Sequence, residues 1–277
     1  VSVRVWYPAQ RPPVPTTSPA PAGAPGFVAD APPDSSGGPY PVILSSSKVA
    51  TIFAPYVVSH GLAWVSVDGL DSYPKMSLEM IDQPLDILFA LDHVAATPPD
   101  GLEGMLDTEH AGVIGYSFDG YNALAMSGAR IDSAYYLGNC PTPDATTAEL
   151  LGSLSAFDCA PASEWDAYVT RAGDAVAPGE DGLWQPMSDE RIRAAMPMAG
   201  EGWWLFGERG LAAVDRPVLM LAATGDSLYA ENAAIYEHLG TADKAFISFV
   251  GLDHMMVYDP RMVERMAHFA TAFFGCH

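Results

Sequence analysis

Hydrophobic residues recur in short runs along most of the chain, and these runs alternate with segments in helical spacing. Residues 1–7, VSVRVWY, alternate in polarity and are rich in β-branched side chains, which predicts a strand. From Tyr40 onwards, apolar runs such as PVILS and AWVSVDG are separated by longer amphipathic segments. Because strands that alternate with helices pack as a parallel sheet covered on both faces, the pattern predicts an α/β fold with a mostly parallel central sheet.

The same pattern predicts individual elements farther along the chain. Pro84 suits the first position of a helix that ends at Ala96, with Asp82 as its cap. HAGVIGYS predicts the central strand, FDGYNALAMSGA the helix that follows it, and IDSAYYLG another short strand. PVLMLAAT and KAFISFV predict two more strands, AENAAIYEHL a helix, and Pro260–Phe274 a C-terminal helix.

Two segments interrupt the alternation. Residues 8–39 repeat Pro, Ala, Ser and Gly with almost no periodicity, which predicts a surface excursion, an active-site flank or a linker. Residues 139–189 hold two cysteines, several prolines and glycines, and helical fragments such as SEWDAYVTRA. We interpret this second segment as a cap-like insertion over the sheet. The prediction is therefore one domain that spans residues 1–277.

Composition and charge exclude several classes of protein. The 277 residues are 49% hydrophobic, which suffices for a substantial core. Thirteen Lys and Arg residues stand against 34 Asp and Glu residues, so the formal net charge is -21. This charge repels phosphate backbones and argues against nucleic-acid binding; it favours solubility or adaptation to a salty environment. No apolar run reaches the roughly 18 to 20 residues of a membrane helix, so no membrane insertion is predicted.

Three cysteines, Cys140, Cys159 and Cys276, allow one disulfide and one leftover thiol. Cys140 and Cys159 bracket a polar segment with prolines, which a disulfide would stabilise. None of the three has metal-ligand spacing with a histidine, so no metal site is predicted. The first residue is Val1, and we expect a processed or trimmed chain of a secreted or extracytoplasmic protein.

A candidate nucleophile follows the predicted central strand. The strand ends in Gly115-Tyr116-Ser117-Phe118 and continues at once into a helical pattern. A serine on a tight turn from strand to helix exposes its hydroxyl group beside the N–H of the next residue, which suits acyl transfer. The usual motif has a small residue two places after the serine, whereas Asp119 stands there and Gly120 follows. An Asp is tolerated at this position if its side chain points outward, and an Asp also suits the first turn of a helix.

A serine nucleophile needs a base, and the base needs a carboxylate. Such groups lie beyond the carboxyl ends of parallel strands. Two loops qualify, because Asp226 follows PVLMLAAT and His254 follows KAFISFV. The predicted triad is therefore Ser117, Asp226 and His254, with Asp215 and Asp243 as alternative acids. The other histidines are predicted to be structural or solvated.

Two N–H donors are expected to stabilise a tetrahedral oxyanion. The first is the N–H of Phe118, directly after the nucleophile. The second should come from the loop after PVILS, where the chain reads Ser46-Ser47-Lys48. Spacing favours the N–H of Lys48, with Ser47 one position away.

The segments VSVRVWYP, VSHGLAWVSVDG, VIGYSFDGYNAL, PVLMLAATGDSLY, IYEHLG and FVGLDHMMV together resemble one branch of the α/β-hydrolases. This branch contains dienelactone hydrolase-like and platelet-activating-factor acetylhydrolase-like proteins, and it is similar to bacterial cutinases and polyester hydrolases. The resemblance spans nearly the whole chain except 8–39 and 139–189. It implies an α/β-hydrolase fold and a serine carboxylic-ester hydrolase, with Ser117, Asp226 and His254 at the triad positions.

The resemblance also implies residues that contact the substrate. Tyr116 matches an aromatic residue that lines the acyl site in polyester hydrolases, and Trp203 or Trp204 lies near the place of a tryptophan that stacks on substrate. Adjacent tryptophans point to different sides, so at least one is expected in the core. The implied partner is a small-molecule or polymeric ester, and no cofactor is needed. Oligomeric state stays open.

Two other functions remain open. Asp119 and the loop Ser46-Ser47-Lys48 are unusual for an active hydrolase, which leaves a catalytically silent binding protein of the same fold as an alternative. The same triad would also serve a thioesterase or a peptidase, because a fold does not determine the bond that is cleaved.

Overall fold

Seven strands form one sheet in the computed structural model, which describes residues 2–10, 27–70, 79–151, 158–174, 176 and 178–277. Across the sheet the strands lie in the order β1-β3-β2-β4-β5-β6-β7. The first strand pairs antiparallel with the third, and all other neighbours are parallel. The strands are β1 (Ser2–Trp6), β2 (Tyr40–Ser46), β3 (Ala63–Asp68), β4 (Leu106–Tyr116), β5 (Ile192–Met198), β6 (Val218–Ala223) and β7 (Lys244–Phe249).

Helices connect these strands. They are α1 (Ser47–Val58), α2 (Glu79–Ala96), α3 (Phe118–Met126), α4 (Ser133–Asn139), α5 (Ala145–Leu151), α6 (Trp165–Ala172), α7 (Trp203–Leu211), α8 (Tyr229–His238) and α9 (Pro260–Phe274). Short 3₁₀ helices lie at Ala160–Glu164 and His254–Tyr258. No helix in the described ranges combines the length and the apolar content of a membrane span.

The alternation of side chains along each strand builds a separate core on each face of the sheet. In β2, Val42 and Leu44 face the core that also contains residues of α2, α3 and α7, whereas Ile43 faces the core under α1 and α9. Strand β6 divides in the same way, with Met220 on the first face and Leu221 on the second. Helices therefore cover both faces of a mostly parallel sheet, and the predicted α/β-hydrolase fold is confirmed.

The predicted start of α2 is wrong. The helix already includes Glu79, so Pro84 lies inside it and Asp82 is not its cap. A proline inside a helix removes the N–H that would bond the carbonyl four residues earlier. Here that carbonyl belongs to Met80, and it accepts a hydrogen bond from the Tyr121 hydroxyl at 2.7 Å. A side chain of α3 therefore replaces the missing backbone donor.

The segment IDSAYYLG is also different from its prediction, because it forms α4 instead of a strand. Asp132 caps this helix, and its carboxylate accepts the N–H of Tyr135 at 3.1 Å. An Asp at this position satisfies a helix donor that would otherwise have no partner, which favours the helix over the strand.

The two interrupting segments are described in part. Residues 11–26 of the Pro-rich stretch lie outside the described ranges, while Phe27 packs on Trp6 with ring centroids 4.2 Å apart. In the second segment, Cys140 and Cys159 form a disulfide, so this predicted pairing is observed. Tyr168 and Trp184 of that segment are buried in the core beside α2 and α3. Its function as a cap stays a prediction, as does the assignment of one domain to residues 1–277.

Candidate active site

The carboxyl ends of the parallel strands bring the predicted triad residues to one edge of the sheet. Ser117 follows β4, Asp226 follows β6 and His254 follows β7. Loops at this edge of an open α/β sheet converge, even when their residues are far apart in sequence. Ser117 and His254 are 137 residues apart in the chain but are in hydrogen-bond contact.

A continuous hydrogen-bonded chain joins the three side chains. His254 Nε2 lies 3.0 Å from Ser117 Oγ, and His254 Nδ1 lies 2.8 Å from Asp226 Oδ2. The Asp226 side chain is 1% exposed, and its other oxygen accepts the N–H of Leu228 at 3.0 Å. The imidazole is one-third exposed. This geometry allows the imidazole to accept the serine proton while the buried carboxylate holds its tautomer.

The turn that carries Ser117 requires glycine on both sides. Ser117 has φ 60° and ψ -127°, a strained conformation for a residue with a side chain. A Cβ atom on Gly115 would lie 1.8 Å from the carbonyl oxygen of Asp119, and one on Gly120 would lie 2.5 Å from Cα of Gly200. The close approach that usually needs a small residue two places after the serine therefore occurs at Gly120.

The Asp119 side chain does not point outward. Asp119 is 6% exposed, and its Oδ2 accepts a hydrogen bond from Ser46 Oγ at 2.5 Å. Its Oδ1 accepts from Asn122 Nδ2 at 3.3 Å. The carboxyl group thus joins the end of β2 to the first turn of α3, and the hydroxyl of Ser46 makes no capping hydrogen bond to α1.

The two predicted oxyanion donors occupy the first turns of two helices that meet at the site. Phe118 is the first residue of α3, and Lys48 is the second residue of α1. N–H groups in a first helical turn have no partner inside their helix. Lys48 Nζ lies 4.8 Å from the ring centroid of Tyr116, which places this loop beside the end of β4. The donor roles of Phe118 and Lys48 stay predictions.

Tyr116 lies behind the imidazole and is 2% exposed. Its hydroxyl donates to the backbone carbonyl of His254 at 2.6 Å, and the two ring centroids are 5.2 Å apart. Burial raises the pKa of this hydroxyl above its ordinary value. The observed contacts make Tyr116 a support for His254, and the substrate contact implied by the resemblance stays a prediction.

Both candidate tryptophans are buried, whereas the pattern required only one in the core. Trp203 is 1% exposed and meets His238 edge-to-face at 5.0 Å between centroids. Trp204 is 3% exposed and lies 5.6 Å from the Tyr136 ring centroid. Neither indole offers an open face to a substrate in this conformation, so its burial favours core packing.

The structure adds a residue that the sequence analysis missed. Glu201 follows β5, and its Oε1 lies 3.5 Å from Ser117 Oγ. Burial raises the pKa of the Glu201 carboxyl; Asp158 and Asp226 also raise it, whereas His254 and the Ser117 hydrogen bond lower it. The position directly beyond a strand beside the nucleophile strand was the available signal.

A second acid, Glu231, supports the same loop from α8. It is 2% exposed, and its Oε1 accepts the N–H groups of Gly202 and Trp203 at 3.0 Å each. Burial, followed by the charge of Glu201, raises the pKa of Glu231 to about 8. The proton on this buried carboxyl is therefore retained in neutral solution.

The alternative acids lie elsewhere. Asp215 pairs with Arg216 at 2.5 Å, and Asp243 lies 3.9 Å from His277. In the described ranges, no group of three or more His, Cys, Asp or Glu side chains could hold a metal ion.

No family model matches the chain. A search of curated proteins also finds no match. Among solved structures, the chain is similar to the zinc-bound form of a cold-adapted esterase from an Arctic intertidal metagenomic library, with a TM-score of 0.49, 14% identity, and coverage of 86% of this chain and 83% of that chain. For the native form of such an esterase, the TM-score is 0.47 and the identity 15%, over 85% of this chain and 82% of that chain. At these identities, activity has to be argued from the geometry of the site.

Proposed function

We propose that the chain is a serine carboxylic-ester hydrolase that forms an acyl-enzyme. The observation that carries the proposal is the hydrogen-bonded series from Ser117 through His254 to the buried Asp226. A base within 3.0 Å of a serine hydroxyl, itself held by a buried carboxylate, is the arrangement that activates this nucleophile.

In the first step, His254 Nε2 accepts the hydroxyl proton while Ser117 Oγ attacks the ester carbonyl carbon. Asp226 stabilises the imidazolium that results. The imidazolium then gives its proton to the leaving alcohol oxygen, and the acyl group stays on Oγ. In the second step, His254 takes a proton from water, the hydroxide attacks the acyl carbon, and the acid leaves as Ser117 regains its proton.

The N–H groups of Phe118 and Lys48 are proposed to hold the oxyanion in both steps. Support comes from their positions: Phe118 directly follows the nucleophile at the start of α3, and Lys48 lies in the first turn of α1. Each such donor is worth roughly 3 kcal/mol in the transition state.

Polyester-type or other apolar esters are the substrates we propose. Support comes from exposed apolar side chains on the segment that carries His254: Val250 is 85% exposed, Met255 54% and Tyr258 45%. Exposed apolar side chains on the segment that carries His254 suit contact with an apolar chain or surface. We also propose that the chain belongs to a cutinase-like or dienelactone hydrolase-like branch and that it is secreted. The Cys140–Cys159 disulfide supports the secretion, because disulfides persist in oxidising compartments.

Reaction with an alkyl fluorophosphonate tests the proposal directly. Intact-mass measurement should find one adduct, peptide mapping should place it on Ser117, and Ser117→Ala should remove both the adduct and the hydrolysis of p-nitrophenyl butyrate. A folded chain that forms no adduct and hydrolyses no ester would instead support the silent binding protein. An adduct together with preferential cleavage of thioesters or peptides would support the other alternative.

A further inference from the structure

A second carboxyl group faces the nucleophile and is not needed for the triad. Glu201 Oε1 lies 3.5 Å from Ser117 Oγ, on the loop between β5 and α7. Hydrogen bonds at a catalytic centre are commonly long before substrate binds, so this distance is within reach of the reacting atoms. An ester carbonyl attacked by Ser117 would therefore lie next to this carboxyl.

The loop that carries Glu201 is held on both sides by neighbouring residues of α8. Asn232 Oδ1 accepts the N–H of Gly200, and Asn232 Nδ2 donates to the carbonyl of Gly200, both at 3.0 Å. Glu231 accepts the N–H of Gly202 at 3.0 Å. Glu201 thus stands between two anchored residues, and its carboxyl is pre-organised beside the nucleophile.

No Lys or Arg side chain of the described ranges forms an ion pair with Glu201 or Glu231. The titratable groups that act on Glu201 are Asp158, Asp226, Glu231 and His254, of which only the histidine can carry positive charge. No Lys or Arg in the described part of the chain therefore neutralises a negative charge on Glu201, and this charge acts on an ester bound next to Ser117.

We propose that Glu201 is a specificity-determining residue that disfavours esters with a negative charge close to the reacting carbonyl and favours esters with a positive charge there. This inference rests on the proposed ester hydrolysis. It names the substrate class as neutral or cationic esters and leaves the triad mechanism unchanged.

The size of the effect follows from distance. We take the separation between the Glu201 carboxyl and a charge on a short acyl chain or a phenol ring as on the order of 7 Å, because the carboxyl lies 3.5 Å from Ser117 Oγ and the rest of the ester adds a few bond lengths. At an effective dielectric constant of about 20, one ionised carboxylate at that distance changes the transition-state binding of a charged ester by about tenfold or more. Because the pKa of Glu201 is raised, the selection should grow as the pH rises and the carboxyl ionises.

The experiment compares esters that differ only in charge. One series is phenyl acetate with a hydrogen, a carboxylate or a trimethylammonium group at the meta position. The other is the phenyl ester of hexanoic acid, of adipic acid as its monoester, and of 6-(trimethylammonio)hexanoic acid. For each ester, kcat/KM is divided by the spontaneous hydrolysis rate, at about pH 8 and low, constant ionic strength so that screening is weak. The readout is the ratio of the cationic to the anionic ester.

Glu201→Gln keeps the shape of the side chain and removes its charge, and it should lower this ratio at least tenfold in one of the two series. Glu208→Gln is the matched control. The Glu208 side chain is 65% exposed on α7, and its substitution removes the same unit of net charge. Its ratios should stay within twofold of the unsubstituted chain. Each ratio is measured on one enzyme sample, so a partly folded variant gives the same answer.

Two results distinguish a failure of the Glu201 inference from a failure of the proposed ester hydrolysis. If the unsubstituted chain hydrolyses the neutral esters in a Ser117-dependent manner but Glu201→Gln leaves both ratios unchanged, the assignment of Glu201 is wrong and ester hydrolysis stands. If the unsubstituted chain hydrolyses none of the esters, both proposals are wrong.

Discussion

The oxyanion donors can be tested by removing a single backbone N–H group. Lys48→Pro deletes the predicted donor at the second residue of α1, where the N–H has no partner inside the helix. Proline is tolerated in a first helical turn, so the fold should persist. The hydroxyl of Ser46 does not compensate, because it donates to Asp119 at 2.5 Å and leaves α1 without a side-chain cap.

One oxyanion donor contributes about 3 kcal/mol to the transition state, so Lys48→Pro should lower kcat on p-nitrophenyl butyrate by about 10²- to 10³-fold with a small change in KM. Lys48→Met is the matched control. It keeps the N–H and removes the ammonium group that lies 4.8 Å above the Tyr116 ring. A cation–π contact of this kind stabilises by about 1 kcal/mol or less, so the control should stay within about fivefold of the unsubstituted kcat.

Ser47→Pro distinguishes the neighbouring register, since it removes the N–H of the first residue of α1. If the Ser47 variant loses activity and the Lys48 variant does not, the donor was placed one residue too late. Should both proline variants retain the kcat of the Lys48→Met control while far-UV circular dichroism shows them folded, the loop after β2 supplies no oxyanion donor and the reasoning is refuted.

Three further predictions concern the triad, the nucleophile turn and the buried acid of α8. Asp226→Asn should lower kcat by about 10³- to 10⁴-fold with little loss of stability, measured with the same ester and by thermal unfolding, because the amide favours the wrong imidazole tautomer. Gly120→Ala should destabilise the fold by about 1 to 3 kcal/mol in urea unfolding, since the new methyl group would lie 2.5 Å from Gly200 Cα. Gly138→Ala is its control, because a Cβ atom added to Gly138 in α4 would meet no atom of the described residues within 4 Å. This substitution should leave the stability unchanged or raise it slightly. The pKa of Glu231 is raised from 4.5 to about 8, so the folded chain keeps a proton that the unfolded chain releases. Its unfolding free energy should fall by about 1 kcal/mol per pH unit between about pH 5 and 8, and Glu231→Gln should remove this part of the slope.

Much of the site was predictable because its chemistry depends on strand ends. The apolar runs located β4, β6 and β7, and the residues Ser117, Asp226 and His254 each follow one of them. Parallel strands place those ends at one edge, so local patterns were enough to predict a long-range meeting of side chains. Glu201 follows the same rule beyond the end of β5, and its contact with Ser117 was missed because an isolated acid in a loop carries no motif.

Residue orientation was less predictable from local patterns. Asp119 suits an exposed first helical turn by its type, yet the neighbouring strand β2 offers the Ser46 hydroxyl and draws the carboxyl into the interior. Pro84 suits a helix start, yet the Tyr121 hydroxyl satisfies the Met80 carbonyl and lets the helix begin earlier. In both cases a partner from a distant segment changed the preferred local arrangement.

The order of apolar and polar residues by itself determined the class of fold and most of the strands and helices, and it placed Ser117, Asp226 and His254 directly after strands. Periodicity and spacing are local properties, so they can be interpreted without knowing which segments pack against each other. Only the tertiary structure decided which side chains are enclosed, which carboxyl touches Ser117 Oγ, and which protons the buried acids keep. Those properties depend on desolvation and on hydrogen bonds between residues far apart in the chain, and no pattern within one segment contains them.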